Sequence, residues 1–200
     1  MKRSFLLSLL ILFAVGTVRA DVLTLGKCQV KRYNDVLKQM GYFDFEVQYD
    51  TKDGTIGFYF DHSLLPCELW MSPQQRDVVS ALFAKYHEWD KMEVQKAVEI
   101  DKSMGKFSAH PYFKYGDWHS TDGDHDVDVT FFTRTVGNNE FVMVFDEWTA
   151  ATNEYITHQE DTVYIEKDEI PLIEEWITDA NIKKVLAEQK KKEDAEKDFK

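Results

Sequence analysis

The chain has 200 residues and a formal net charge of −12, with 24 Lys and Arg against 36 Asp and Glu. This charge balance excludes a nucleic-acid-binding protein, because phosphate contacts need clustered Lys and Arg, and it disfavours attraction to anionic membrane surfaces. The length beyond the first 20 residues suffices for one domain that buries about 70% of its unfolded surface.

The first 20 residues have the pattern of a secretory signal peptide. Lys2 and Arg3 precede an apolar run at positions 5–15, and Val18 and Ala20 stand at the positions expected before a cleavage site. The apolar run is shorter than the roughly 20 residues that span a bilayer. We therefore expect cleavage after Ala20, a periplasmic or secreted location, and no stable membrane span in the mature protein.

Two cysteines, Cys28 and Cys67, follow the expected cleavage site. In an oxidising compartment such a pair favours one disulfide, which would close a loop of about 40 residues and stabilise the fold by roughly 4 kcal/mol. The alternative is two buried free thiols. Metal binding by cysteine is disfavoured, because neither residue has a second Cys or a His two to four positions away.

The segment before position 72 predicts one helix and three strands. Residues 29–40 carry apolar side chains at positions 30, 33, 36, 37 and 40, which is helical spacing, and Gly41 follows as a helix stop. Residues 42–49 and 55–60 alternate apolar and polar side chains around an Asp-Gly turn, which predicts a hairpin. Residues 67–71 predict a third strand.

Ser72 begins the clearest helix signal in the chain. Pro73 suits the first helical position, and Gln75 can complete a capping box with Ser72. An apolar stripe predicts a helix over 73–104, ending at Gly105. Since this helix would be about 48 Å long, we expect it to bend or break near Asp90-Lys91.

The remaining sequence predicts a loop, three strands and two helices. The aromatic loop covers 105–125, and strands are expected at 126–135, 140–148 and 162–166. Helices are expected at 168–177 and from Asp179 onward.

These elements predict an α+β fold with a single globular domain at 21–187 and a charged tail at 188–200. A mostly antiparallel sheet of five or six strands would pack against one long central helix and the C-terminal helices.

The acidic segment around position 124 is a candidate metal site. Acidic side chains occupy alternate positions there, with two histidines in the same segment, and carboxylate oxygens at such steps suit Ca²⁺. A calcium loop that begins at position 122 would need glycine at 127 and glutamate at 133, where Val127 and Thr133 stand. The alternative is a solvated acidic turn. The candidate ligands are Asp122, Asp124, Asp126, His119 and His125.

The aromatic segment before it is a candidate ligand site. Tyr112, Tyr115 and Trp118 lie beside Asp and Lys residues, and flat rings with a few polar groups can bind a glycan or an apolar ligand. The alternative is that these rings fold back and cover the core.

No catalytic motif is recognisable in the sequence, so no catalytic residue is assigned. His87-Glu88 begins like a zinc-protease helix, but Lys91 stands where the second histidine belongs. We therefore expect an exported, non-catalytic module that binds a ligand or partner, such as a protein or glycan, or has an envelope-associated role. The alternative is an exported hydrolase or metal-dependent enzyme with its site at 110–128.

Overall fold

The structure is a computed structural model that describes residues 21–34, 38–61 and 66–197. The expected signal peptide lies outside these residues. Among the helices of the described part, none is long and apolar enough to cross a membrane. The strands are β1 (Val22–Asn34), β2 (Gln39–Asp50), β3 (Ile56–Asp61), β4 (Cys67–Met71), β5 (Asp101–Tyr115), β6 (Asp117–Ser120), β7 (His125–Thr135), β8 (Asn138–Phe145), β9 (Trp148–Ala150), β10 (Asn153–His158) and β11 (Val163–Glu166), and the helices are α1 (Pro73–Lys96), α2 (Ile170–Trp176) and α3 (Asp179–Lys197).

Nine strands form one antiparallel sheet in the order β4-β3-β2-β1-β11-β8-β7-β5-β6. A further pairing of β4 with β5 joins the two sides of this sheet, so eight strands close into a barrel. The β1–β11 seam is short, because only Lys31 and Arg32 pair with Tyr164 and Val163. The α+β class is confirmed, whereas the prediction of a five- or six-stranded sheet on one long central helix is wrong: the main sheet has nine strands, and the described residues form three helices.

The inward face of the barrel is filled by phenylalanine rings. Rings from strands that are not neighbours meet across the interior: Phe60 and Phe145 have centroids 6.0 Å apart, and Phe58 and Phe107 have centroids 6.5 Å apart. Each buried ring contributes about 1.5–3 kcal/mol through removal from water. The interior of the barrel is therefore a packed core.

Helices and a short hairpin cover the core at opposite ends of the strands. On α1, Phe83 packs against Phe141 at 4.9 Å, and Tyr86 packs against Phe131 at 5.1 Å. At the other end, the β9–β10 hairpin places the fully buried Trp148 against Phe145 at 5.8 Å. The hairpin was not predicted, because its strands are short and β10 is mostly exposed.

The start of α1 agrees with the sequence, but its end does not. Ser72 Oγ accepts a hydrogen bond from Gln75 N at 3.3 Å, and Ser72 N donates to Gln75 Oε1 at 2.7 Å, so the capping box is confirmed. The helix stops at Lys96 rather than 104, with Ala97 in a left-handed conformation (φ 51°). Gly105 lies instead in β5, beside a bulge, at φ 130°.

The predicted helix at 29–40 is wrong for the described residues, since β1 runs to Asn34 and β2 begins at Gln39. Positions 36 and 37 lie outside the described residues. The strand interpretation follows from alternation: Cys28 and Val30 pair with the buried Phe45 and Phe43, and Lys27 and Gln29, which alternate with them, are exposed. Long-range pairing with β2 overrides the local helical spacing.

The predicted disulfide is also wrong, because Cys28 and Cys67 are both free thiols. Their register partners show why: Cys28 pairs with Phe45 on β2, Phe45 with Phe60 on β3, and Phe60 with Cys67 on β4. Three interstrand steps of about 4.8 Å place the two cysteines well beyond bridging range. Burial and the Glu169 carboxylate raise the pKa of Cys28 to about 12, which keeps that thiol protonated.

A polar network joins α1 to β8 and to the segment before α2. Asp90 accepts hydrogen bonds from Asn139 Nδ2 at 2.8 Å and from Lys167 Nζ. The Tyr86 hydroxyl donates to the Asn139 backbone oxygen at 3.2 Å. Burial opposes ionisation of Asp90, but the hydrogen bonds from Lys167 and Asn139 outweigh it and lower the pKa of this carboxyl.

The lowered pKa of Asp90 predicts a pH dependence of stability. A carboxyl whose folded pKa lies below its unfolded value near 3.8 stabilises the fold above that pH. The stabilisation is lost as the pH falls through the folded pKa. We expect the free energy of unfolding of Asp90→Asn to approach that of the wild type as the pH is lowered below about 3.8. A difference that stays constant from pH 6 to pH 2 would contradict this.

Candidate functional site

The predicted aromatic loop at 105–125 is not a loop. Residues 101–115 form β5, which turns at Gly116 (φ 71°) into β6. Phe107, Ala109 and Phe113 alternate as inward residues, a strand signal that the glycines and Pro111 obscured. The predicted ligand residues are therefore separated by strand alternation: Tyr112 and Trp118 belong to one face of the β5–β6 pair and Tyr115 to the other.

Tyr112 lines a cleft of about 480 Å³ on the outer face of the barrel. The cleft lies between the β2–β3 turn, the end of β4, the start of α1, the middle of β5 and the segment before β7. Its lining residues are Asp50, Asp53, Thr55, Trp70, Ser72, Gln75, His110, Tyr112 and Asp124.

Trp70 forms the aromatic wall of this cleft. It pairs with Gly57 across β3 and β4, and a Cβ atom at position 57 would stand 3.0 Å from the indole ring. The indole Nε1 donates to Glu68 Oε2 at 2.7 Å, which fixes the ring orientation. Trp70 is 8% exposed. The contact with Gly57 and the hydrogen bond to Glu68 hold its ring on the outer face of the barrel.

Carboxylates dominate the polar lining of the cleft. Asp124 Oδ2 accepts from Gln75 Nε2 at 2.6 Å, and Asp124 Oδ1 lies 3.4 Å from His110 Nδ1. Asp50 Oδ1 accepts the backbone N–H groups of residues 52 and 53 at 2.8 and 3.1 Å. With Asp53, the lining contains three carboxylates and neither Lys nor Arg, so its potential is negative.

The predicted calcium ligands have separate surroundings. Asp124 faces the cleft, whereas Asp126 accepts from Ser108 Oγ at 2.6 Å and from Lys106, whose hydrogen bond lowers the pKa of Asp126. His119 Nε2 lies 3.2 Å from the Tyr115 carbonyl oxygen. His125 belongs to β7, and Asp122 is exposed in the turn before it. Binding of Ca²⁺ by this segment stays a prediction.

A group that the sequence analysis missed lies on the inward face of the barrel. In the described part of the chain, one set of His, Cys, Asp or Glu side chains brings three ligand atoms within 4.8 Å of one another: Cys67, His158 and Glu160. Cys67 Sγ donates to Glu160 Oε2 at 3.0 Å, and His158 Nε2 lies 3.3 Å from the same oxygen. Spacing could not reveal the group, since 91 positions separate Cys67 from His158.

This buried group does not suit nucleophilic catalysis by cysteine. Burial and the neighbouring Glu160 carboxylate raise the pKa of Cys67 well above its ordinary value. The thiolate, not the thiol, is the nucleophile, so Cys67 is unreactive in this state. Thiol, imidazole and carboxylate together are instead a donor set that a transition metal can use.

No protein-family model matches the sequence, and no curated protein and no solved structure is significantly similar to the chain.

Proposed function

We propose that this protein is an exported, non-catalytic binding module whose outer cleft takes a small organic cation or the basic side chain of a partner. The cleft supports the proposal by combining three carboxylates with the rings of Trp70 and Tyr112. Rings attract cations through their faces, and carboxylates accept charge-assisted hydrogen bonds. The net charge of −12 favours approach of a basic ligand over long distances.

Asp124 is the residue that carries this proposal. Gln75 donates a hydrogen bond to its carboxylate, and His110 Nδ1 lies 3.4 Å from the other carboxylate oxygen, so the side chain is held at the cleft before a ligand arrives. Preorganisation of this kind lowers the entropic cost of binding. Export would follow from the predicted signal peptide. N-terminal sequencing that finds a mature protein beginning at Asp21 would support export.

The binding proposal is tested with a pair of ligands that differ in charge. Full-length mature protein is titrated with N-acetyl-arginine amide (arginine amide below) and with N-acetyl-citrulline amide, its uncharged isostere, and the Trp70 indole NMR signal is followed. We expect arginine amide to shift this signal and to bind at least about 10-fold more tightly, since a hydrogen bond to a charged group contributes about 1.5–3 kcal/mol.

Matched variants locate the site. Asp124→Asn should weaken arginine amide binding about 10-fold, whereas Asp128→Asn, an exposed acid of β7 outside the cleft lining, should leave it unchanged. Equal binding of both amides, or an unmoved Trp70 signal, would contradict the proposal.

A hydrolase is the second candidate, because Ser72, His110 and Asp124 line the same cleft. The approach of His110 Nδ1 to Asp124 resembles the base and orienting carboxylate of a serine hydrolase. Ser72 Oγ, however, accepts from Gln75 N as the helix cap, and no hydrogen bond joins it to His110 among the described contacts. Covalent labelling by a fluorophosphonate that is lost in Ser72→Ala would favour this candidate over the binding module.

A further inference from the structure

We propose that Cys67, His158 and Glu160 form a binding site for Zn²⁺. This site is independent of the outer cleft, because Phe113 and Tyr112, which are neighbours on β5, face opposite sides of the barrel wall. Phe113 packs against the imidazole of His158, whereas Tyr112 lines the cleft.

The donor atoms already lie close to the spacing that zinc requires. Zinc bonds of about 2.0–2.3 Å at tetrahedral angles separate neighbouring ligand atoms by roughly 3.3–3.6 Å. Glu160 Oε2 lies 3.0 Å from Cys67 Sγ and 3.3 Å from His158 Nε2. The third pair, Cys67 Sγ and His158 Nε2, lies within 4.8 Å. Shifts of about 1 Å or less would therefore accommodate the ion.

The surrounding residues hold these donors in place. Glu160 Oε1 accepts from the backbone N–H of Asp161 at 3.1 Å, which leaves Oε2 to face the other two donors. The imidazole of His158 stacks on Phe113, with centroids 5.3 Å apart and an interplanar angle of 16°. Supporting contacts of this kind orient metal ligands and raise metal affinity.

Charge and burial favour a divalent ion at this position. Cys67 is 0% exposed, Glu160 4% and His158 9%. When zinc binds, the Cys67 thiol loses its proton to solvent, and thiolate, carboxylate and Zn²⁺ then sum to zero charge. A neutral assembly suits a buried apolar site, where an unbalanced charge is costly.

The donor set also selects among metals. Sulfur and imidazole donors suit Zn²⁺, whereas Ca²⁺ and Mg²⁺ take oxygen ligands. Three protein ligands leave a fourth position open on a tetrahedral ion. The ring of Trp148 lies 5.6 Å from that of His158, and its fully buried Nε1 has no hydrogen-bond acceptor among the described residues. The indole N–H of Trp148 is therefore a buried hydrogen-bond donor close to the proposed zinc site.

Metal titration of full-length mature protein under reducing conditions tests the site. We expect one Zn²⁺ per chain by elemental analysis after gel filtration. Titration with Co²⁺ should give sulfur-to-cobalt charge-transfer absorption in the near ultraviolet, which zinc abolishes. Cys67→Ser should remove this band, and Cys28→Ser, which changes the other free thiol, should retain it.

Glu160→Gln keeps the shape of the side chain and removes its charge. We expect this variant to weaken zinc binding at least about 100-fold, because changes in supporting residues alone cost 10–100-fold. Its thermal unfolding without metal serves as the folding control, and it remains informative if Cys67→Ser fails to fold. Absence of bound zinc in folded wild type, or unchanged affinity in folded Glu160→Gln, would overturn the proposal.

Discussion

Gly26→Ala should destabilise the fold by about 3 kcal/mol, because the new methyl group has no room. A Cβ atom at position 26 would stand 2.1 Å from two ring carbons of Trp176, which α2 packs against β1. Overpacking of a fitted contact costs 1–3 kcal/mol and occasionally more. A rigid indole held between helix and barrel cannot rotate away as a flexible side chain would.

Urea unfolding of four variants separates this steric effect from the loss of glycine itself. Gly41→Ala on β2 is the matched control, since a Cβ there meets nothing within 4 Å, and its stability should stay within about 0.5 kcal/mol of the wild type. The double variant Gly26→Ala/Trp176→Ala should be no less stable than Trp176→Ala alone. If Gly26→Ala unfolds at the same urea concentration as the wild type, α2 does not pack against β1 in the way described above.

Glu93→Ala should cost about 2–3 kcal/mol, although the change removes a charge from a buried position. Glu93 is 0% exposed, and both of its carboxylate oxygens accept from the Gly137 backbone N–H, at 3.1 and 3.0 Å. Alanine would remove this acceptor, and a hydrogen bond to a charged group contributes about 1.5–3 kcal/mol. Loss of the side chain would also release α1 from the β7–β8 turn.

Glu93→Gln distinguishes the hydrogen bond from the charge. Glutamine keeps one acceptor oxygen and the length of the side chain, so we expect it to retain more than half of the stability that alanine loses. Denaturant unfolding at pH 7 measures all three proteins. If alanine and glutamine destabilise equally, charge rather than the contact with Gly137 matters.

The sequence predicted those elements whose signals are local. The capping box at Ser72 is confirmed because its donors and acceptors lie within four residues. The hairpin of β2 and β3 is confirmed because its alternation and its turn belong to one continuous segment. Glu93, by contrast, reaches a turn 44 positions away that no local pattern could indicate.

The functional groups were harder to predict because the barrel closure assembles them. Tyr112 was predicted as a ligand-binding residue and Asp124 as a metal ligand, and both line the cleft, but Trp70 and Asp50 join them only through strand pairing. Cys67, considered for a disulfide, meets His158 because the β9–β10 hairpin covers one end of the barrel. The alternation of apolar and polar residues along a strand does not show which strands become its neighbours.

The short β1–β11 seam has a consequence for the order of folding. Strands β1 to β4 are consecutive neighbours and can pair early, whereas the seam joins Lys31 to Tyr164. Contacts between positions so far apart form late, because a long loop must first be closed. During that interval the outer edge of β1 has unpaired backbone groups, which invite association with other chains. Amide hydrogen exchange should therefore be faster at Tyr33, whose N–H donates to Thr162 O at 3.4 Å across this seam, than at the centre of β2, since the last pairing to form is also the first to open.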